Sequence, residues 1–191
     1  MPDLMKDEIL KTYEVLKTGG VILYPTDTVW GLGCDATKAS SVERIFKLKN
    51  RPEKKSLIIL LDQYEKLYQY VDDVPEIAFD LMNSITTPLT IVYPHAKNIA
   101  KKLISEDGSI AIRVVKDEFC RKLISLMNKP LVSTSANITG QPTPLIFKKI
   151  APEILKGVDY VVNYAQTRID QVKPSTIIKF NLKGEYEIIR K

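Results

Sequence analysis

The sequence predicts an α/β fold: a single domain over residues 1–191, with a mixed, twisted sheet flanked by helices. Three observations point there. Segments with helical apolar spacing alternate with short apolar runs through most of the chain, which becomes strand-rich toward its end. Glycine and proline punctuate the segment ends. No repeat, low-complexity tract or Pro/Gly/Ser linker divides a chain long enough for one well-packed core.

The elements follow in order. Ile9, Leu10, Tyr13 and Leu16 recur at helical spacing and predict a helix over 6–18, stopped by Gly19-Gly20. The apolar run 21–24 is a buried strand that Pro25 stops. Ser40 or Ser41 caps a second helix, with Val42, Ile45, Phe46 and Lys49 along one side, and Pro52 ends it. Residues 57–61 form another buried strand. Pro75 fits the first turn of a helix reaching about Ile85, because its missing N–H has no intrahelical partner there. A strand covers 89–93. Ile110, Ile112 and Val114 alternate with Ala111 and Arg113, so 109–115 is a strand showing Arg113 to one face. Residues 117–127 are helical. Further strands cover 131–134, running into Ser135-Ala136-Asn137, then 158–162, 175–180 and 186–190.

Composition narrows the class. Hydrophobic residues make up 45% and charged residues 27%, the balance of a soluble globular protein. Net charge is +5, which favours anionic partners such as nucleotides or RNA. No apolar run approaches the ~18 residues of a membrane span, and the N-terminus lacks an apolar signal core. Cys34 and Cys120 cannot form a disulfide framework or a four-cysteine zinc site, so the cytoplasm is the expected compartment. His95, the sole histidine, follows Tyr93-Pro94 and reads as a loop residue.

Four segments carry candidate chemistry. Residues 25–33, Pro-Thr-Asp-Thr-Val-Trp-Gly-Leu-Gly, place small oxygen-bearing side chains after a strand; they form either a ligand-holding loop or a plain turn. Residues 47–55 hold five cations and one acid where a helix ends. That composition suits an anion clamp as well as a solvated helix end. Residues 133–144 crowd five hydroxyls and two amides after a strand, able to orient a polar ligand or only to cap a turn. Arg113, on an apolar strand, needs an anionic partner, either a structural carboxylate or one on a substrate. The Gly-Lys-Ser/Thr phosphate loop is absent.

These residues resemble the YrdC-type threonylcarbamoyl-AMP synthases in their short, single-domain form. Gly19-Gly20 and residues 24–32 look like the opening motif, Lys49-Asn50-Arg51 the Lys-x-Arg element, and Ser135-Ala136-Asn137 the Ser-x-Asn element. Residues 109–113 look like the strand ending in the family's arginine; Pro174-Ser175-Thr176 and Ile188-Ile189-Arg190 look like its last site elements. Each is short, but together they stand at family spacing over most of the chain. The resemblance implies a YrdC-like fold with a concave basic cleft. It also implies that L-threonine, bicarbonate and ATP give threonylcarbamoyl-AMP and pyrophosphate, for threonylcarbamoyladenosine modification of tRNA.

Carried over, Thr28, Arg113, Ser133 and Ser175 would contact threonine. Arg51, Lys55, Ser109, Ser135, Asn137, Thr143 and Arg190 would contact ATP, with Lys49 and Arg51 as catalytic candidates. Mg²⁺ would accompany ATP, with no dedicated protein metal site. tRNA or double-stranded RNA, and the downstream threonylcarbamoyl transferase proteins, are further candidate partners. Three departures stand out. Leu60 occupies the place of a histidine in longer members, Pro174 that of a glutamate, and the chain ends at Lys191, directly after Arg190, with no second domain expected. The alternatives are a YciO-like paralogue, an RNA-binding protein using the same cleft, and the carbamoyl-transfer domain of hydrogenase maturation factors.

Overall fold

The computed structural model describes residues 4–52, 57–167, 175–181 and 184–191. The helices are α1 (Leu4–Lys17), α2 (Ala39–Leu48), α3 (Glu76–Ser84), α4 (Glu118–Met127) and α5 (Pro152–Gly157). The strands are β1 (Ile22–Tyr24), β2 (Gly31–Gly33), β3 (Ile58–Leu61), β4 (Leu89–Tyr93), β5 (Ile110–Val114), β6 (Leu131–Ser135), β7 (Tyr160–Val161), β8 (Thr176–Phe180) and β9 (Tyr186–Arg190). They form one nine-stranded sheet in the order β7-β1-β2-β6-β3-β5-β4-β8-β9. The pairs β1/β7, β3/β5 and β4/β8 are parallel and the others antiparallel, so the sheet is mixed as expected.

Local chemistry explains the element ends. Gly19, at φ 90°, terminates α1, and the Gly20 N–H reaches back to the Val15 carbonyl at 2.9 Å. Asp117 caps α4 by accepting from the Cys120 N–H. Three expectations need correction. Neither Ser40 nor Ser41 caps α2: Lys38 holds the N-cap position, and the Ser41 hydroxyl instead donates to the Gly19 carbonyl at 2.8 Å. Pro52 does not end α2 either. Asn50 does, in the left-handed region at φ 50°, with its N–H on the Lys47 carbonyl and the Arg51 N–H on the Phe46 carbonyl. Finally, residues 31–33 are a strand rather than the tail of a loop. The Tyr24 side chain crosses β2 to donate to the Val132 carbonyl at 3.1 Å. A Cβ at Gly33 would meet the Tyr24 ring at 2.6 Å, so only glycine permits that crossing.

Both sheet faces are covered, unequally. On one face Ile59, Leu61, Ile91, Ile110, Ile112 and Val132 pack in a core with Val42, Ile45 and Phe46 of α2 and Ala78 of α3. On the other, Ile22, Tyr24, Leu60 and Leu131 pack against Ile9 and Leu16 of α1 and Phe119 and Leu123 of α4. A third cluster joins Leu23, Trp30 and Leu32 to Ile154 of α5, a helix that apolar spacing does not announce. Glu8, 1% exposed in α1, accepts from the Tyr160 hydroxyl at 2.7 Å and the Asn163 N–H at 2.8 Å, anchoring α1 to the segment around β7. Among the described residues no helix is long and apolar enough to cross a membrane. His95 sits at φ 55° after β4, a loop residue as read from its neighbours.

Candidate active site

Side chains alternate along a strand, so the face that holds Leu60 and Leu131 against α1 and α4 continues into Ile58 and Ser133. There the helices no longer cover it, and a cleft of about 420 Å³ opens, within the range of small-molecule sites. Residues from distant segments line it: Thr28, Arg51, Arg113, Ser133, Ser135, Thr143, Ser175 and Arg190 among them.

Each is delivered by a definite piece of structure. Thr28 lies in a turn that Thr26 closes, its hydroxyl donating to the Val29 carbonyl at 2.7 Å and accepting from the Thr28 N–H at 3.0 Å. So the turn between β1 and β2 also lines the cleft, through Thr28 and Val29. Arg51 follows the left-handed turn at Asn50. Ser133 and Ser135 project from one face of β6, opposite Ile58 and Gly31 respectively. Ser175 precedes β8, and its hydroxyl shares a hydrogen bond with Thr90 at 2.8 Å.

Arg190 owes its direction to an irregularity. Along β8 and β9, Tyr186 faces Phe180, Glu187 faces Lys179 and Ile188 faces Ile178, but Arg190, not Ile189, faces Ile177. Ile189 is the extra residue of a β-bulge, and the bulge turns Arg190 onto the face where Ile177 lines the cleft.

The cleft is rich in positive charge. Arg113, 3% exposed, has its Nη1 3.3 Å from both Asp27 Oδ1 and Thr28 Oγ1. Its Nε is buried without a hydrogen-bond partner among the described residues. Burial lowers the Arg51 pKa. Burial, and then the charge of Arg113, lower that of Arg190. Cations held this way gain when an anion enters between them.

Three expected contacts are placed differently. Lys49 does not line the cleft: it is 1% exposed, with Nζ donating to the carbonyls of Ser135 and Asn137. Burial, then the nearby Arg51 charge, push its pKa down to about 7. Asn137 shapes its own loop, Nδ2 donating to the Ile138 and Gln141 carbonyls at 3.0 and 2.8 Å. Ser109 donates its hydroxyl to Asp107 at 2.6 Å and is absent from the cleft lining. Lys55 lies outside the described residues, as does Pro174. Leu60, standing where longer members carry histidine, is buried against α1 and α4.

The structure adds residues that motif reading missed. Leu57, Ile58, Leu145 and Ile177 form apolar lining. Asp27, already singled out within residues 25–33, is a carboxylate beside Arg113, 3.3 Å from its Nη1. Ile177 is legible in hindsight from strand alternation with Ser175. Among the described residues no group of three or more His, Cys, Asp or Glu side chains could hold a metal ion.

A mixed sheet that gathers arginines and hydroxyls where one face is left open defines an α/β protein with a cleft suited to a polar, anionic small molecule. Comparison with known proteins narrows this class. The family model for Sua5, YciO and YrdC, which carries the description telomere recombination, matches residues 14–191. The chain belongs to the Sua5/YciO/YrdC family. It is 39% identical over 165 residues to a threonylcarbamoyl-AMP synthase of Pseudoalteromonas translucida (strain TAC 125), covering 85% of this chain and 87% of that one. Its fold matches P. abyssi Sua5 complexed with L-threonine with a TM-score of 0.85 at 30% identity, over 95% of this chain and 53% of the other. The chain thus spans about half the length of that Sua5. E. coli YciO shares the fold at 24% identity, with a TM-score of 0.80 over 96% of this chain and 88% of YciO.

Proposed function

We propose that the protein is an L-threonylcarbamoyladenylate synthase, a nucleotidyltransferase of the cytoplasm. One observation carries the reading: Arg51, Arg113 and Arg190, with the hydroxyls of Thr28, Ser133, Ser135, Thr143 and Ser175, converge on one cleft from segments scattered over the chain. The similarity to a threonylcarbamoyl-AMP synthase over most of both chains supports it.

The chemistry suits this lining. Bicarbonate carboxylates the threonine amine, giving N-carboxythreonine and water. A carbamate oxygen attacks the α-phosphorus of ATP, the P–O bond to the β-phosphate breaks, and pyrophosphate leaves. The nucleophile comes from substrate, so no serine, cysteine or histidine need act as one. The protein's task is to hold two anions together and neutralise phosphate charge. In this reading Arg113 pairs with the threonine carboxylate, and Thr28, Ser133 and Ser175 orient the amino acid. Arg51, Ser135, Thr143 and Arg190 hold ATP, which enters as its Mg²⁺ complex. The adenylate passes to the threonylcarbamoyl transferase proteins that modify tRNA.

The test follows labelled threonine into a trapped adenylate while pyrophosphate is measured in parallel, with threonine, bicarbonate or ATP omitted in turn. Both products are expected only when all three are present. Pyrophosphate release indifferent to threonine, or none at all, overturns the proposal.

A further inference from the structure

Lys49 stands in the most cationic stretch of the chain, yet its surroundings are those of a core residue. The side chain of Lys47 is 75% exposed, whereas Lys49 is 1% exposed. The left-handed turn at Asn50 separates the paths of its neighbours: Arg51 reaches the cleft and Lys49 does not.

What Lys49 touches is backbone. Its Nζ donates to the Ser135 carbonyl and, at 2.6 Å, to the Asn137 carbonyl. Its own carbonyl accepts from the Thr139 N–H at 2.8 Å. One residue thus grips the 135–139 segment by side chain and by main chain. Beyond this grip, Asn137 Nδ2 closes the loop onto the Gln141 carbonyl at 2.8 Å, just before Thr143. Ser135 and Thr143, at the two ends of this run, both line the cleft. An ammonium has three donors and no acceptor, and two of those donors here satisfy carbonyls. Burying such a group is tolerable only because of those partners, and drawing it out to a phosphate would leave both carbonyls bare.

We infer that Lys49 is a positioning residue, whose ammonium fixes the loop carrying Ser135 and Thr143 in the cleft beside Arg51 without itself touching the nucleotide. The inference rests on reading that cleft as the ATP site.

Two experiments test it. The first uses the unaltered protein: lysines are acetylated with a water-soluble reagent, with and without ATP, and mapped by mass spectrometry. Lys47 is expected to label and Lys49 to stay unlabelled in both states. Labelling of Lys49 in the free protein, whether or not ATP protects it, overturns the assignment. The second compares Lys49→Met with Arg51→Ala in binding of adenosine, AMP and ATP, read by competition. Loosening the loop should weaken all three ligands by a similar factor, about tenfold for a lost tie of this kind. Arg51→Ala should lose most for ATP and least for adenosine. A Lys49→Met loss confined to phosphate-bearing ligands, or no loss for any, overturns the inference. Should Lys49→Met fail to fold, the labelling result decides alone. Wild-type protein that binds none of the three ligands sinks the ATP reading itself, and labelling without ATP still tests where the Lys49 amine lies.

Discussion

Arg190 on β9 donates from Nε and Nη2 to the carbonyl of Ser175, at 3.1 and 2.8 Å, and so ties the edge strand to the residue that opens β8. The contact needs the bulge at Ile189. In a regular ladder Ile188 and Arg190 would share a face; here they do not, because Arg190 stands opposite Ile177. This gives an unusual expectation. Deleting one of the two consecutive isoleucines regularises the ladder but leaves the arginine opposite Ile177, so the ATP requirement should stay near wild type. Deleting both brings it opposite Ile178, on the face turned from the cleft. Loss of a charge-assisted contact of roughly 1.5–3 kcal/mol then raises the ATP KM about ten- to a hundredfold. Steady-state kinetics of the two deletions check this, and equal effects would refute the register argument.

Arg51→Ala should reduce turnover by about ten- to a hundredfold, for the same loss of a charge-assisted contact of roughly 1.5–3 kcal/mol. Arg51 follows the end of α2 and lines the cleft outside the hydrophobic clusters, so its thermal midpoint should barely move. Melting curves and pyrophosphate release, measured together, separate the two effects. Normal turnover would remove Lys49-Asn50-Arg51 from the site.

Much of this arrangement is legible in the sequence, for physical reasons that also mark its limits. Leu89–Tyr93 and Ile110–Val114 read as strands because burial on a sheet leaves an apolar pattern in the residues themselves. Gly31–Gly33 does not, because what makes it a strand is its backbone pairing with β1 and β6, and its two glycines carry no side chains to show an apolar pattern. Arginines in motifs announce the cleft, since a guanidinium on an apolar strand needs an anion. Residue type alone cannot say where a lysine's amine ends: two residues apart at the end of α2, Lys47 and Lys49 fall on nearly opposite sides of the helix, and only Lys49 shares the side that Val42, Ile45 and Phe46 bury. Ser109 carried a visible warning in Asp107, two residues earlier, the spacing at which a carboxylate captures a serine's N–H and hydroxyl.

Arg113→Ala should raise the threonine requirement far more than the ATP requirement. The structure sharpens this expectation, because Asp27 lies 3.3 Å from the same guanidinium. Removing the arginine leaves that carboxylate facing the place assigned to another carboxylate. Asp27→Asn should therefore hurt less than Arg113→Ala, and the double variant should bind threonine better than Arg113→Ala alone. Separate KM values for the two substrates test this. Equal damage to both would withdraw Arg113 from the amino-acid end.

Glu8 links fold stability to pH. Burial pushes its carboxyl pKa up, but donors from Tyr160, the Asn163 N–H and Lys11 outweigh it, and the net shift is downward. A carboxylate with a lowered folded pKa stabilises fully above its unfolded value, about 4.3. That contribution fades as pH falls through the folded value. Glu8→Gln should cost about 1–3 kcal/mol near neutrality, by leaving buried donors poorly matched. The gap from wild type should narrow in acid. Urea titrations at neutral and acid pH measure it, and a gap constant with pH would show that Glu8 is not the titrating group.

Thr28→Val and Ser175→Ala both remove a hydroxyl at the end of the cleft assigned to threonine, yet the structure distinguishes them. Thr28 Oγ1 lies 3.0 Å from Thr26 Oγ1 and accepts from Arg113 at 3.3 Å, so its neighbours belong to the amino-acid end. Ser175 Oγ lies between Thr90 at 2.8 Å and Arg190 Nη2 at 3.3 Å, and Arg190 is assigned to ATP. Thr28→Val should therefore weaken threonine and spare ATP, because a site built around a hydroxyl is left with an unpaired partner. Ser175→Ala should weaken both. It strips one acceptor from Arg190 and leaves the buried Thr90 hydroxyl unmatched, although the Ser175 carbonyl still holds the guanidinium. The ATP loss should accordingly be smaller than in Arg190→Ala. Calorimetric titration of threonine with and without ATP, and of ATP alone, resolves the three variants. Threonine affinity unchanged in Thr28→Val would move the amino acid away from Arg113, and ATP affinity unchanged in Ser175→Ala would uncouple Ser175 from Arg190.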